Sequence, residues 1–229
     1  MTEPRGGLFI SFEGTDGSGK STQLRLLAAR LRREGYDCVE NIEPGGTAIG
    51  QQIRTILLDP ANQEMAPMAE LLLMFASRAQ AVAERIRPAL ERGAIVLSDR
   101  FTDSSLAYQG EARQLGFQTV CALHSLALGK ISPDLTICLD VDLDASLARA
   151  HGRNRKLQAD VPDETRLDRQ PADFHRKVQA GYRRIAELEP ERVRLIDGNG
   201  QPEAISQRIW TTVKPFLDRV RHGGCAQPE

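Results

Sequence analysis

The segment Gly14–Ser21 has residue types and a spacing that could hold a triphosphate. It reads GTDGSGKS and matches the pattern G-x-x-x-x-G-K-[ST]. Glycines let the backbone wrap a phosphate with its N–H groups turned inward, and the N-terminus of a following helix adds partial positive charge. In such a loop Lys20 reaches the β- and γ-phosphates, and the Ser21 hydroxyl ligates magnesium. A plain glycine-rich turn is the alternative, and the strand-like segment Leu8–Glu13 directly before the motif argues against it.

Five short apolar segments alternate with longer helical patterns. Each is almost continuously hydrophobic, as a strand covered on both faces requires. Strands separated by helices predict one parallel sheet in an α/β fold. The strands are expected at Leu8–Glu13, Asp37–Ile42, Ala94–Ser98, Leu135–Val141 and Val193–Ile196.

Apolar residues recur with helical period in the intervals between these strands. The expected helices are one from Lys20 to before Gly35, then Ile49–Leu57, Pro67–Arg92, Ala172–Glu189 and Pro202–Val220. The segment His151–Arg169 is charged and poor in large apolar residues, so we predict a long functional loop there. The chain is interpreted as a single domain over residues 1–229, with a flexible tail at 222–229.

Composition and charge exclude several classes of protein. There are 30 basic and 31 acidic residues, so the basic excess of a nucleic-acid-binding domain is missing. No apolar run approaches the roughly 20 residues that span a membrane. The four cysteines form no C-x-x-C pair, which favours reduced thiols and a cytoplasmic location.

Three further polar segments are placed where a ligand could meet the glycine-rich loop. Glu43–Thr47 and Asp99–Gln109 follow the second and third predicted strands, and ligands of open α/β sheets bind at the carboxyl ends of strands. Phe75–Arg78 lies on the long predicted helix. The guanine-reading motif N-K-x-D is missing, so a GTPase is disfavoured and a small-molecule kinase is favoured.

The segments FEGTDGSGKST, EPGGT, SDRFTDSSLAYQG and PDLTICLDV resemble those of bacterial thymidylate kinases in order and spacing, over about residues 8–215. The resemblance implies a three-layer α/β/α P-loop nucleoside monophosphate kinase fold with a five-stranded parallel sheet. It also implies a mobile lid, here about residues 151–169. The expected activity is phosphorylation of dTMP to dTDP by ATP with Mg²⁺, in a homodimer.

The same resemblance assigns the donor and metal residues. Ser21 and Asp99 are expected at magnesium, and Asp99 could act through magnesium-bound water; pairing with a neighbouring arginine is its alternative role. The catalytic set is expected to be Lys20, Asp99, Arg100 and Arg153. The expected ATP-binding residues are Gly14, Thr15, Asp16, Gly17, Ser18, Gly19, Lys20, Ser21 and Thr22.

For the acceptor, Arg54 and Arg100 match positions that hold its phosphate, and arginine suits this because its planar fork binds oxyanions bidentately. Asp16 corresponds to the residue that contacts the sugar 3′-hydroxyl. Tyr108 is expected to crowd the 2′ position, and Arg78 to read a thymine carbonyl. The full expected acceptor set is Asp16, Pro44, Arg54, Met74, Phe75, Arg78, Arg100, Ser104, Tyr108 and Gln109.

Three positions depart from the family pattern. The usual aromatic residue four positions before Arg78 is Met74, so either Met74 or Phe75 contacts the base. Ile42 stands where many relatives have arginine.

The third departure is Gly17, which stands where eukaryotic-type relatives carry a catalytic arginine. The positive charge of that arginine is then expected from Arg153, with Arg149 assisting. The segment His151–Arg169 also offers Arg155, Arg166 and Arg169.

Two other functions remain open from the sequence. One is a nucleoside or nucleotide monophosphate kinase with a different acceptor. The other is a non-catalytic P-loop nucleotide-binding module.

Overall fold

Five parallel strands form one sheet at the centre of the chain. The computed structural model describes residues 6–157, 165–218 and 220, with the backbone alone at 151 and 153–157. The strands are β1 (Leu8–Glu13), β2 (Cys38–Ile42), β3 (Ile95–Asp99), β4 (Leu135–Asp140) and β5 (Val193–Asp197). Their order across the sheet is β2-β3-β1-β4-β5. The predicted strands are confirmed, each within one residue at either end.

Helices cover both faces of this sheet. They are α1 (Lys20–Arg33), α2 (Ala48–Leu58), α3 (Pro67–Ala81), α4 (Arg87–Glu91), α5 (Thr102–Ser105), α6 (Phe117–Leu128), α7 (Leu143–Leu157), α8 (Ala172–Leu188) and α9 (Pro202–Leu217). The long helix predicted at Pro67–Arg92 is present as α3 and α4, joined by a π-helical turn at Val82–Ile86. That turn ends two residues before Pro88, which cannot donate a helical hydrogen bond.

Alternate residues of each strand enter two separate hydrophobic cores. Phe9 and Val96 pack on the side of α3, α6 and α8. Ile10 and Leu97 pack on the side of α1 and α9. The result is a three-layer α/β/α sandwich, as the sequence predicted.

The prediction of a long loop over His151–Arg169 is partly wrong. Helix α7 continues through Leu157, so the first third of the segment is helical. Arginine, lysine and leucine are good helix formers, and they extend a helix without an apolar stripe. Residues 158–164 and the tail at 222–229 lie outside the described residues.

Candidate active site

The glycine-rich loop joins β1 to α1 at the carboxyl edge of the sheet. Gly14, Gly17 and Gly19 all have positive φ angles (132°, 74° and 98°), which residues with side chains rarely adopt. The Lys20 ammonium is buried and donates to the carbonyl oxygens of Gly14 (3.1 Å) and Thr15 (2.9 Å). Burial, together with the nearby Arg100 charge, lowers the pKa of Lys20. The loop therefore holds the desolvated Lys20 ammonium against its own backbone carbonyl groups.

Ser21, at the start of α1, meets Asp99 at the end of β3. The Ser21 hydroxyl donates to Asp99 Oδ2. Asp99 is 8% exposed, so it is a buried residue beside the loop. Two neighbouring oxygen donors beside a phosphate loop fit the preference of Mg²⁺ for one or two protein oxygens together with phosphate and water.

Arg100 lies at the centre of a polar cluster next to the loop. Its Nη2 donates to Asp16 Oδ1 (2.6 Å) and to the Tyr108 hydroxyl (3.2 Å), and its Nη1 donates to the Gly14 carbonyl (3.2 Å). The Tyr108 hydroxyl donates to the other oxygen of Asp16 (2.9 Å). Burial acts to raise the pKa of Asp16, but the charges of Arg100 and Lys20 outweigh it and hold that pKa well below its usual range. Asp16 thus faces Arg100 and Tyr108.

Arg78 lies fully buried between two loops. Its Nε donates to Glu43 Oε2 (2.5 Å), and its Nη atoms donate to the Ser105 hydroxyl (3.1 Å) and the Phe101 carbonyl (3.0 Å). The Phe75 ring packs 4.7 Å from its guanidinium carbon. Glu43 is paired in this way, and burial still raises its pKa. Arg78 therefore fastens the loop after β2 to the loop after β3.

Met74 and Phe75 differ in exposure. Phe75 is 2% exposed and belongs to the hydrophobic core, whereas Met74 is only partly buried. Of the two, Met74 has surface left for a ligand.

Three further acceptor candidates lie in three different places. Arg54, on α2, donates to the Pro44 carbonyl (2.8 Å), so it lies against the loop after β2. Ser104 lies in the Arg100 cluster and accepts from Arg100 Nη1 at 3.0 Å. Gln109 turns its amide to Glu70 Oε1 (2.8 Å) and is 1% exposed.

Glu70 is the centre of a charge cluster that the sequence did not indicate. Besides Gln109, it pairs with Arg113 (3.1 Å) and Arg166 (2.7 Å). Burial acts to raise the pKa of Glu70, but the Gln109 hydrogen bond and the charges of Arg113 and Arg166 hold it below the usual range. Arg166 also donates to the Leu57 carbonyl and is fully buried. Arg166, one of the arginines that the segment His151–Arg169 offers, is therefore paired with Glu70 inside the fold.

Helix α7 contacts the glycine-rich loop directly. Arg149 Nε donates to the Gly17 carbonyl (2.9 Å). A Cβ on Gly17 would clash with the Ser146 carbonyl oxygen and lie 3.0 Å from Ala150 N. Arg153 lies further along α7, and its side chain is outside the described atoms.

Sequence reasoning also missed Glu13 and Tyr182. Glu13 was interpreted as the last residue of a strand, and Tyr182 lies on the predicted helix Ala172–Glu189 without being singled out there. Both lie in the Arg100 cluster and are almost fully buried. The available signal was a carboxylate directly before the glycine-rich loop, a position from which its side chain can reach the loop after β3.

The fold and the site together define a class. The P-loop follows the first strand of a parallel sheet with the order β2-β3-β1-β4-β5, and the Arg100 cluster lies beside it. This is the arrangement of a P-loop nucleoside monophosphate kinase. The family model for thymidylate kinase matches residues 12–209. The chain belongs to the thymidylate kinase family.

Individual relatives agree with this assignment. The chain is 47% identical over 213 residues to a thymidylate kinase of Thermomicrobium roseum, covering 93% of this chain and 97% of the relative. It is 48% identical over 210 residues to one of Syntrophotalea carbinolica, covering 92% and 96%. The crystal structure of thymidylate kinase from Ehrlichia chaffeensis superposes with a TM-score of 0.72 at 29% identity, covering 91% of this chain and 98% of that one. Among the described helices, none has the length and apolar content needed to cross a bilayer.

Proposed function

We propose that this chain transfers the γ-phosphoryl group of ATP to dTMP and so forms dTDP. The observation that carries the proposal is the hydrogen bond from Arg100 to the Gly14 carbonyl, at 3.2 Å. It brings a second cationic site against the triphosphate loop, within reach of the same phosphoryl group. Two anions held side by side meet the main requirement of phosphoryl transfer, which is positioning and charge neutralisation.

On the donor side, the backbone of Gly14–Thr22 receives the ATP phosphates and Lys20 neutralises their charge. Ser21 and Asp99 would hold Mg²⁺, which when bound neutralises charge on the transferring phosphates. Both are oxygen donors already in contact with one another, which supports this assignment.

On the acceptor side, Arg100 and Arg54 bind the phosphate of dTMP. Asp16 receives the 3′-hydroxyl, and Tyr108 closes the space at the 2′ position, which favours deoxyribose. The mutual hydrogen bonds of Asp16, Tyr108 and Arg100 support a shared role, because they fix all three side chains at one place.

The base is read on the side of Arg78. Arg78 donates to a thymine carbonyl, Gln109 lies near the base, and Met74 gives the apolar face. Pro44 and Ser104 complete the acceptor site on its two flanking loops. The partial exposure of Met74, against the burial of Phe75, supports the choice of Met74.

Positive charge at the γ-phosphate comes from helix α7. Arg153 supplies it, with Arg149 assisting, in place of the P-loop arginine of other relatives. The clash that a side chain at Gly17 would make with Ser146 supports this, because it leaves no room for an arginine there. An arginine in this role contributes roughly 10³ to 10⁵ in turnover.

The protein acts as a homodimer in the cytoplasm. The dimer surface is the apolar face formed by Ile49 and Ile56 on α2 and by Met68 and Leu72 on α3, which we call the α2–α3 face. These four side chains are between 42% and 50% exposed, and α2 packs on α3. Clustered apolar residues on a surface are typical of an interface.

The test is a panel of nucleoside monophosphates, dTMP, dUMP, dCMP and dGMP, assayed with ATP by ADP release. We expect dTMP to have the highest kcat/KM by about tenfold or more, since buried hydrogen-bonding groups discriminate strongly against the wrong base. A better rate with another monophosphate would assign a different kinase. ATP binding without transfer to any of them would assign a non-catalytic module.

A further inference from the structure

Behind Arg100, side chains from three elements meet in the protein interior. Glu13 ends β1, Ser104 lies on α5 and Tyr182 lies on α8. The Tyr182 hydroxyl is 3.0 Å from Glu13 Oε2 and 2.9 Å from the Ser104 hydroxyl, and Ser104 Oγ is 2.5 Å from the same Glu13 oxygen. All three residues are less than 9% exposed. Of the three, only Ser104 has a role in the reaction as described so far; Glu13 and Tyr182 have none.

The two hydroxyl groups of the triad contact the same atom of Arg100. Arg100 Nη1 donates to both the Tyr182 hydroxyl and the Ser104 hydroxyl, each at 3.0 Å. The Arg100 backbone has a φ angle of 74°, outside the range of regular elements. The hydrogen bonds of its side chain fix where the guanidinium points.

The proton positions in the triad follow from its partners. Because Arg100 donates to both hydroxyl oxygens, the proton of each hydroxyl must turn elsewhere. In its ionised form the Glu13 carboxylate accepts both, since an ionised carboxylate is an acceptor only. Glu13 thus orients the two hydroxyl groups so that a lone pair on each hydroxyl oxygen faces Arg100. In the described contacts, neither oxygen of Glu13 itself touches the arginine.

The surrounding packing keeps Tyr182 at this place. Its neighbour Gly181 lets α8 approach the segment after α5, because a Cβ there would lie 3.0 Å from Ala107 Cα and 3.1 Å from Glu111 Cβ. The Tyr182 ring meets the Tyr108 ring edge to face, with centroids 6.5 Å apart.

We infer that Tyr182 is a positioning residue for phosphoryl transfer, which fixes the guanidinium of Arg100 on the acceptor phosphate and is itself oriented by Glu13. This inference rests on the proposed dTMP kinase activity. Holding an arginine in place before the substrate arrives removes an ordering cost that would otherwise reduce affinity and rate.

The test compares Tyr182→Phe with Tyr36→Phe, which also removes one tyrosine hydroxyl but lies in the other core, beside α1. We expect Tyr182→Phe to lower kcat/KM for dTMP about tenfold, with KM for ATP within twofold of wild type. Tyr36→Phe should leave both unchanged. A wild-type enzyme inactive on dTMP would refute the proposed function instead, so the two failures are distinguishable.

A purely structural role is separated by a double-mutant cycle with Arg100→Ala. If Tyr182 acts through Arg100, the Tyr182→Phe change should have less than a twofold effect in the Arg100→Ala background. An effect equal in both backgrounds would overturn the inference, as would a Tyr182→Phe enzyme with kcat/KM within twofold of wild type. Should Tyr182→Phe not fold, Glu13→Gln is measured in the same cycle and must show the same dependence on Arg100.

Discussion

Single buried charges determine the geometry of this active site. Three glutamates are buried within arginine-containing clusters and are each at most 4% exposed: Glu13, Glu43 and Glu70. From sequence, an isolated glutamate is expected at the surface, because burying an unpaired charge is costly. Its partners are distant in the chain, so no local pattern reveals them. The motif residues could be predicted, whereas the charges that support them could not.

Glu13 gives the stability of the protein a pH dependence. Burial, then the charge of Asp103, raise the pKa of Glu13 to about 7, against the opposing charge of Arg100. Lys20, Cys138 and Tyr182 are the other titratable groups that interact with it. An acid with a raised pKa keeps its proton in the folded chain but loses it in the unfolded chain between pH 4.5 and 7. The contribution of Glu13 to stability therefore falls as pH rises through this range.

Glu13→Gln should remove this contribution. We expect the free energy of unfolding of the variant minus that of wild type to be larger at pH 8 than at pH 5, so that the variant is relatively more stable at pH 8. Urea denaturation at the two pH values measures it. The same relative stability at both pH values would contradict the raised pKa.

At the scale of elements, the strands were predictable and helix α7 was not. A strand covered on both faces needs a continuous apolar run, and such runs stand out in a charged sequence. The end of α7 has no apolar stripe, so its polar residues were interpreted as a loop. The sequence likewise contains no signal that α7 packs against the P-loop, because that contact joins Gly17 to residues about 130 positions away.

Gly17→Ala tests this contact between α7 and the P-loop. The new methyl group would displace Ser146, and an alanine at this position would have a disfavoured φ angle. The loop and α7 must therefore separate. We expect KM for ATP to rise about tenfold or more, since small displacements of a phosphate site are costly. Steady-state kinetics with varied ATP measures it.

Gly7→Ala is the matched control, because its Cβ would also clash, with Ala94 O and at 2.9 Å with Leu90 Cα, but at the opposite end of β1. It should lower the thermal midpoint and leave KM for ATP unchanged. An unchanged KM for ATP in Gly17→Ala would show that the contact has no role in ATP binding.

At the scale of the whole molecule, two hydrophobic cores hold the sheet rigid while the ligand-binding loops gather at its carboxyl edge. The α2–α3 face lies outside both cores and leaves apolar side chains at the surface. Its apolar spacing is visible in the sequence, but its exposure is not, since a periodic stripe is equally compatible with burial inside the chain.

Leu72→Glu should dissociate the proposed homodimer, because a carboxylate cannot be buried in an apolar interface without a partner. Analytical ultracentrifugation at micromolar concentration should show the mass of two chains for wild type and one for the variant. Leu188→Glu changes an equally apolar residue, 63% exposed on α8, and should remain dimeric. A monomeric wild type would contradict the homodimer.

The most direct measurement of the whole account is a crystal structure with a non-hydrolysable ATP analogue, Mg²⁺ and dTMP. We expect the triphosphate within the amides of Gly14–Ser21, and the dTMP phosphate on the Arg100 guanidinium with an oxygen in line with the γ-phosphorus. A dTMP phosphate bound elsewhere, or a gap between the two phosphates too wide for in-line attack, would contradict the assignment as a phosphotransferase site.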